Sequence, residues 1–237
     1  MNCNGFLIVL SAREIRNNMS NRSYDLVVFD WDGTLLDSTG AIVKAIQAAS
    51  RDIDVTPPTD ERARYVIGMG LREALQYAIP DLAESRYDEL VNAYRKHYLS
   101  GDHELTLFDG VEALLQDLQA EHRWLAVATG KSRVGLDRAL GHSGLGQYFD
   151  TTRTADQTRS KPHPQMLQEI IGQFGVVPER TLMVGDTTHD LQMAQNAGAH
   201  GLAITHGAHP LAALLECRPV GVVDSISDLS DWIKKSG

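Results

Sequence analysis

The sequence LVVFDWDGTLLD, residues 26–37, combines an apolar run with two carboxylates one residue apart. The four leading apolar residues predict a strand that is buried on both faces. Asp30 and Asp32 follow where the strand opens into a turn containing Gly33. Like charges in a partly dry site repel each other, so a cation or a shared chemical task normally offsets their proximity. Taken alone, this stretch has an alternative interpretation, which is an acidic strand-to-turn junction with no chemical role.

Three later segments also place polar residues at predicted junctions. Residues 125–130 (LAVATG) are an apolar run that ends in a hydroxyl residue and a glycine, and residues 160–164 (SKPHP) place a lysine before a predicted helix. Residues 182–190 (LMVGDTTHD) are another apolar run that ends in carboxylates. Each segment alone is weak evidence, because short motifs often match by chance. Their order along the chain is far more specific.

The chain alternates between strand and helix patterns, which is typical of an α/β fold with a parallel sheet and right-handed crossovers. Strands are predicted at residues 25–30, 124–129, 181–184, 200–204 and 220–223. Helices are predicted near residues 110–120, 132–141, 164–174, 188–197 and 225–235.

A long segment between the first two strands has no strand signal. Its apolar spacing predicts helices at residues 38–53, 60–67, 71–79 and 84–99. A connection of this length must be a structure of its own. We therefore expect an α/β core made of residues 23–37 and 107–237, an inserted helical cap at residues 38–106, and an N-terminal extension outside the fold at residues 1–22.

Composition excludes several classes of partner. The net charge of −9 and the absence of a basic stripe argue against binding to nucleic acid or to an anionic membrane. No stretch approaches the roughly 18 consecutive apolar residues of a membrane span. The two cysteines, Cys3 and Cys217, suggest no disulfide framework and favour a reducing compartment, hence the cytoplasm. Neither composition nor pattern indicates an oligomeric state, so monomer and homodimer both stay open.

The four segments resemble, in order and without a gap, the four motifs of the haloacid dehalogenase (HAD) superfamily, most of whose members are phosphatases. The resemblance extends along nearly the whole chain after residue 24 and looks strongest to the phosphoglycolate phosphatase-like group. It implies a Rossmann-like doubly wound parallel sheet with an inserted all-helical cap of the C1 type. It also implies Mg²⁺-dependent hydrolysis of a small organic phosphomonoester, such as phosphoglycolate or a sugar phosphate.

Two other functions share the motifs. A phosphosugar mutase of the β-phosphoglucomutase type has the same four motifs and cap, and a catalytically idle HAD-like binding protein would keep the fold. Asp32 favours phosphate-ester chemistry, because the hydrolytic dehalogenases of the superfamily lack this second aspartate.

Asp30 and Asp32 are the expected catalytic residues. A carboxylate can attack a phosphoryl group and form an aspartyl-phosphate, which divides one hard displacement into two easier ones, and we assign this role to Asp30. We expect Asp32 to act as the general acid–base, which protonates the leaving oxygen and then activates water.

The same carboxylates are expected to bind Mg²⁺, which prefers oxygen ligands in octahedral geometry. The expected ligands are Asp30, the backbone carbonyl of Asp32, and Asp186. Asp190 lies one helical turn further on, and the resemblance suggests an alternate metal role for it. An ordinary first-turn carboxylate, stabilised by the helix dipole, is an equally open reading of Asp190.

The phosphoryl oxygens are expected to meet Thr129, the backbone N–H of Gly130, and Lys161, whose charge also counters Asp30. Lys131 and Arg159 are further candidates, for which a solvated surface role is equally open.

In the cap, Arg72 follows the segment Gly68-Met69-Gly70, which we interpret as a hinge or a specificity loop. Arg72 is the candidate for binding a carboxylate or second polar group of the substrate, because arginine binds carboxylates bidentately. A surface arginine is the alternative. His189, His206 and His209 lack the spacing and cysteine partners of a zinc site.

Overall fold

Six parallel strands form one sheet in the computed structural model, which describes residues 24–236. The strand order is β3-β2-β1-β4-β5-β6. The strands are β1 Leu26–Phe29, β2 Trp124–Thr129, β3 Thr151–Thr154, β4 Thr181–Gly185, β5 His200–Ile204 and β6 Gly221–Val223. The α/β fold class expected from the sequence is confirmed, whereas the predicted extension at residues 1–22 lies outside the described residues.

The apolar run of β1 explains its central position. Val27 and Phe29 belong to the apolar cluster on one face of the sheet, and Leu26 and Val28 belong to the cluster on the other. Successive strand residues point to opposite faces, so a strand buried on both sides must be apolar throughout. The residue that follows β1 therefore emerges at the middle of the sheet's carboxyl edge, where α/β proteins bind ligands.

Helices cover both faces of this sheet. They are α5 Val111–Ala120, α6 Arg133–Ser143, α7 Gln165–Phe174, α8 Thr188–Asn196, α9 Leu211–Glu216 and α10 Ile226–Lys235. Among residues 24–236, no helix combines the length and the apolar content needed to cross a bilayer.

The segment after β1 contains the helices α1 Thr39–Asp52, α2 Asp60–Tyr65, α3 Leu71–Ala78 and α4 Tyr87–Gly101. These helices share an apolar cluster that includes Ile46, Leu75 and Leu90. A separate apolar cluster agrees with a cap at residues 38–106, although the exact division into domains stays a prediction.

Two elements were absent from the sequence prediction. Strand β3 has the sequence TTRT and is only partly buried along most of its length, so it carries no apolar run for a pattern to detect. Its partner is β2, and it closes one edge of the sheet. Helix α9 has only six residues, too few for a helical period to be evident.

Candidate active site

Asp30 lies directly after β1 and is completely buried. The ammonium of Lys161, also buried, donates to Asp30 Oδ1 at 2.6 Å and to Asp190 Oδ1 at 2.6 Å. Burial lowers the pKa of Lys161, but the two carboxylates outweigh this effect and raise it above its ordinary value. Lys161 is therefore a fixed cation between two acids, Asp30 and Asp190.

One lysine does not neutralise the carboxylates of this site. Asp30, Asp186 and Asp190 each place an oxygen within 4.8 Å of the others. Burial raises the pKa of Asp30 well above its ordinary value, against the lowering effect of Lys161. Burial and the neighbouring Asp190 raise the pKa of Asp186 to about 7. The cluster lacks positive charge when its acids are ionised.

The other oxygen of Asp30 is the feature that fits a cation or an electrophile. Asp30 Oδ2 is buried and accepts no hydrogen bond from residues 24–236. A buried carboxylate oxygen without a donor is costly. The three clustered carboxylates make a suitable donor set for Mg²⁺, a hard cation that prefers oxygen.

Asp186 is held rigidly at the end of β4. Thr34 Oγ1 donates to Asp186 Oδ1 at 2.7 Å, and the backbone N–H of Ala208 donates to Oδ2 at 2.7 Å. Gly207 lets the chain approach so closely that a Cβ there would lie 2.1 Å from Asp186 Oδ2. Sequence reasoning did not single out Thr34 or Gly207 for these contacts, although Thr34 lies in the first motif.

Asp190 has two structural tasks. Its Oδ2 accepts from Thr187 Oγ1 at 2.6 Å and from Thr187 N at 3.1 Å. The bond from Thr187 N, together with the one from Asp190 N to Thr187 Oγ1, forms the capping box at the start of α8. Its Oδ1 is the second acceptor of Lys161. Asp190 therefore caps a helix and also orients the lysine that faces Asp30.

Asp32 lies at the edge of the buried cluster, at 7 % exposure. Its Oδ1 accepts a hydrogen bond from Ser38 Oγ at 2.6 Å and lies 3.0 Å from Lys131 Nζ. The same ammonium donates to Tyr98 Oη at 3.0 Å, on helix α4 of the inserted segment. Burial lowers the pKa of Lys131, but Asp32 and Tyr98 outweigh it and raise the pKa above its ordinary value.

This arrangement decides one question that the sequence left open. The Lys131 ammonium is not on a solvated surface, since its side chain is 10 % exposed and pairs with Asp32. Ser38 and Tyr98 were not predicted. Ser38 could have been noticed as a hydroxyl at the first position of the helix predicted at residues 38–53, whereas nothing in the sequence links Tyr98 to Asp32.

Thr129 and Gly130 occupy the carboxyl end of β2, beside Asp30. Thr129 is buried, and its Oγ1 accepts from the backbone N–H of Lys131 at 3.2 Å. A Cβ on Gly130 would lie 2.4 Å from the carbonyl oxygen of Met69. The segment Gly68-Met69-Gly70 therefore rests directly on the core at this point.

Two predicted contacts are not brought to the carboxylates. Arg72 donates to Glu84 at 2.8 Å and to Asp88 at 2.5 Å on the exposed side of the helices. Two acids of its own segment hold this guanidinium, but Arg72 lines the same cavity as Asp32, so its contact with a polar group of the substrate stays a prediction. The exposed side chain of Arg159 donates to His163 at 3.0 Å and also lies apart from the cluster.

Two of the histidines hold the inserted segment to the core. His189 Nε2 and His209 Nε2 lie 2.8 and 3.0 Å from the same backbone oxygen, that of Tyr65 at the end of α2. Thr188 N donates to His209 Nδ1, so Nε2 carries the proton of that ring. Burial lowers the pKa of both histidines, which favours neutral rings that donate to the carbonyl.

A cavity of about 860 Å³ separates the inserted segment from the core. Asp32, Gly130 and Lys131 of the candidate site are among the residues that line it. Most of the remaining wall is contributed by helices α1, α3 and α4 and by the loop before α3 on one side, and by α6 along its length on the other.

Known proteins resemble this chain in sequence. The family model of the haloacid dehalogenase-like hydrolases matches residues 27–204. The probable phosphatase IndB of Dickeya dadantii is 37 % identical over 86 % of this chain and 91 % of its own length. The pyrophosphatase PpaX of Bacillus cereus is 30 % identical over 86 % and 93 %. The phosphoglycolate phosphatase of Aliivibrio fischeri is 30 % identical over 86 % and 94 %.

The fold is also shared with solved structures. A hydrolase from Pseudomonas syringae superposes with a TM-score of 0.82 at 22 % identity, over 90 % of this chain and 98 % of that structure. At this identity the likeness concerns the fold alone.

Proposed function

The chain belongs to the haloacid dehalogenase-like hydrolases, and we propose that it is a Mg²⁺-dependent phosphatase that hydrolyses a small organic phosphomonoester through an aspartyl-phosphate on Asp30. This proposal rests on the different hydrogen bonding of the two carboxylate oxygens of Asp30. Oδ1 is fixed by Lys161, and Oδ2 accepts no hydrogen bond from the described residues. Such a carboxylate is oriented by one oxygen and has the other available for attack.

In the first step, Asp30 Oδ2 forms a bond to phosphorus as the ester P–O bond breaks. Asp32 gives its proton to the departing alcohol oxygen. Lys131 and Ser38 then stabilise the carboxylate that Asp32 becomes, through the contacts at 3.0 and 2.6 Å. The alcohol leaves, and the phosphoryl group stays on Asp30.

In the second step, a water molecule attacks phosphorus, and Asp32 takes a proton from that water. The bond between phosphorus and Asp30 Oδ2 breaks, which releases inorganic phosphate and restores both aspartates. The same residue serves as acid and then as base, so the catalytic cycle closes with no net proton transfer to the protein.

The phosphoryl oxygens would contact Thr129, the backbone N–H groups of Gly130 and Lys131, and the ammonium of Lys161. These donors are fixed at a strand end and a helix start, where they can stabilise developing charge without reorganising. Arg159 and Arg72 are not part of this set, since their side chains are engaged elsewhere.

Mg²⁺ would be held by Asp30, Asp186 and the backbone carbonyl of Asp32, with Asp190 beside it. When bound, it supplies the positive charge that lets an anionic carboxylate approach an anionic phosphate. The division into core and cap and a cytoplasmic location belong to the same proposal.

The test is phosphate release from a panel of phosphomonoesters, phosphoglycolate and sugar phosphates included, with Mg²⁺ and with a chelator. We expect Mg²⁺-dependent release by the wild type and none above background by Asp30→Asn, whose amide cannot form the intermediate. Asp81→Asn, on an exposed aspartate, should match the wild type.

Three results would contradict the proposal. Release by Asp30→Asn at the wild-type rate would exclude Asp30 as the nucleophile. Transfer that requires a bisphosphate activator and releases little phosphate would indicate a mutase. Binding of the esters without turnover would indicate an idle binding protein.

A further inference from the structure

The cavity above Asp32 has a size and a lining that the chemistry of the carboxylates does not require. Its volume of about 860 Å³ lies in the upper part of the roughly 300–1,000 Å³ typical of pockets for drug-sized ligands. A phosphoryl group at Asp30 would place the alcohol half of the ester in this space, because Asp32, Gly130 and Lys131 of the candidate site also line the cavity. The two-carbon acid of phosphoglycolate would leave most of the space unfilled.

Apolar side chains face this space from both sides. Met69, Leu71 and Tyr94 pack against the apolar cluster of the inserted segment, and Leu105 and Leu107 pack against that of the core. All five are only half-buried and line the cavity. Apolar side chains next to both clusters therefore leave part of their surface exposed toward the same cavity. Such exposed apolar surface indicates a ligand that covers it.

The apolar lining continues to the opening of the cavity. Val134, at the start of α6, is 78 % exposed, and Leu99, near the end of α4, is 42 % exposed. Tyr94 and Tyr98 stack with their ring centroids 5.8 Å apart. Tyr98 thus joins the apolar wall to Lys131, which pairs with Asp32.

The charges of the lining do not favour a second anionic group. Four basic side chains, Arg72, Arg95, Lys131 and Arg138, are balanced by four carboxylates in the same lining. Three of these basic side chains are already paired with carboxylates: Arg72 with Glu84 and Asp88, Lys131 with Asp32, and Arg138 with Asp102 at 2.8 Å. Phosphoglycolate and pyrophosphate would each bring a further anionic group into this electrically balanced space.

We propose that the substrate is a phosphomonoester of a bulky, largely apolar alcohol, whose carbon skeleton fills the cavity between the inserted helices and the core. This inference rests on the proposed phosphatase function. It names the alcohol half of the substrate and distinguishes this chain from its relatives named for phosphoglycolate and pyrophosphate.

The test compares kcat/KM for ethyl phosphate and hexyl phosphate in the presence of Mg²⁺, with phosphoglycolate and pyrophosphate alongside. Simple alkyl esters have similar leaving groups, so the ratio of their kcat/KM values reports burial of the alkyl chain. Each fully buried methylene is worth about fourfold, and we expect hexyl phosphate to exceed ethyl phosphate by about 20- to 200-fold. Phosphoglycolate and pyrophosphate should rank with ethyl phosphate or below it.

Substitutions in the cavity lining test whether the cavity causes the preference for hexyl phosphate over ethyl phosphate. Val134→Gln combined with Leu99→Gln should reduce the hexyl-to-ethyl ratio at least fivefold, since both side chains are exposed at the cavity and their replacement spares the fold. Val177→Gln is the matched control, because Val177 is 52 % exposed and does not line the cavity. This control should leave the ratio unchanged.

The outcomes separate the two proposals. No release from any ester would overturn the phosphatase proposal and this inference together. Release with a hexyl-to-ethyl ratio near one, or a preference for phosphoglycolate or pyrophosphate that Arg95→Ala removes, would overturn only this inference.

Discussion

Two aspartate–lysine pairs lie side by side in this molecule, and they differ in what holds them. Asp30 and Lys161 are 2.6 Å apart, and their side chains are 1 % and 0 % exposed. Asp32 and Lys131 are 3.0 Å apart, and each side chain is 10 % exposed. The second acceptor of Lys161 is Asp190 in the core, whereas the second acceptor of Lys131 is Tyr98 on the inserted helix α4.

Because of this difference, the nucleophile and the acid–base should depend on different parts of the molecule. The core alone positions Asp30, so the nucleophile should be independent of the inserted segment. The position of Asp32 is connected through Lys131 to that segment, so proton transfer should respond to how the segment sits on the core. The alcohol half of a substrate that fills the cavity would contact the second pair, whereas its phosphoryl group would contact the first.

The largest expected effect is on the second pair. Asp32→Asn should slow hydrolysis of an alkyl phosphate by roughly 10²–10⁴-fold, the usual contribution of acid–base catalysis. The loss should be much smaller for formation of the phosphoenzyme from an aryl phosphate, whose leaving group needs no proton. Single-turnover kinetics with both esters measure this difference, and equal losses in both would place the proton donor elsewhere.

The first pair should matter for both folding and catalysis. Lys161→Met leaves Asp30 and Asp190 buried without their cation, which should lower the free energy of unfolding by about 3–5 kcal/mol. It should also lower kcat by roughly 10²–10³-fold, as for loss of one transition-state donor. Denaturant unfolding and phosphate release measure these effects. Lys235→Met, on an exposed lysine, is the control, and a stable, active Lys161→Met protein would contradict the assigned role.

The carboxylates beside the first pair should make the metal-free protein sensitive to pH. The pKa of Asp186 is about 7 in the folded protein, raised by burial and by Asp190 from an ordinary 3.8. Between about pH 4 and pH 7 the folded state therefore holds a proton that the unfolded chain releases, so stability falls as pH rises.

We expect a loss of about 1–4 kcal/mol across this window without Mg²⁺, from the pKa difference. Mg²⁺ should stabilise the protein more at pH 8 than at pH 5, because it binds the ionised carboxylates. Asp186→Asn should flatten the pH dependence. Thermal unfolding at both pH values measures these shifts, and an unchanged profile in Asp186→Asn would exclude Asp186 as their source.

The smallest expected effect tests the link to the inserted segment. Tyr98→Phe removes one hydrogen bond to Lys131, worth about 0.5–1.5 kcal/mol, and should lower kcat about two- to tenfold. In the background of Lys131→Met, the same change should have little further effect, because the two residues act through one contact. Additive losses would show that Tyr98 acts through substrate packing and not through Lys131.

The sequence was most informative where apolar strands end in polar residues. Asp30 and Asp186 follow such strands, and parallel pairing of β1 with β4 brings them to the same edge of the sheet. Their catalytic roles stay predictions, but their proximity follows from the pattern.

Contacts between distant helices could not be predicted in this way. Arg72 on α3 pairs with Glu84 and with Asp88 on α4, and Tyr98 reaches Lys131 across 33 positions. Such pairs depend on how helices pack, and no periodicity within one segment encodes that packing. The apolar cavity is equally non-local, since its wall combines side chains from several helices.

The most direct measurement is detection of the covalent intermediate on Asp30. Asp32→Asn is mixed with an aryl phosphate and Mg²⁺, quenched in acid, digested and examined by mass spectrometry. The aryl ester still phosphorylates Asp30, whereas hydrolysis is slowed, so the peptide containing Asp30 should carry one phosphoryl group. The double variant Asp30→Asn/Asp32→Asn should carry none. Release of the aryl alcohol without a phosphorylated peptide, or with the phosphoryl group on another residue, would contradict the mechanism.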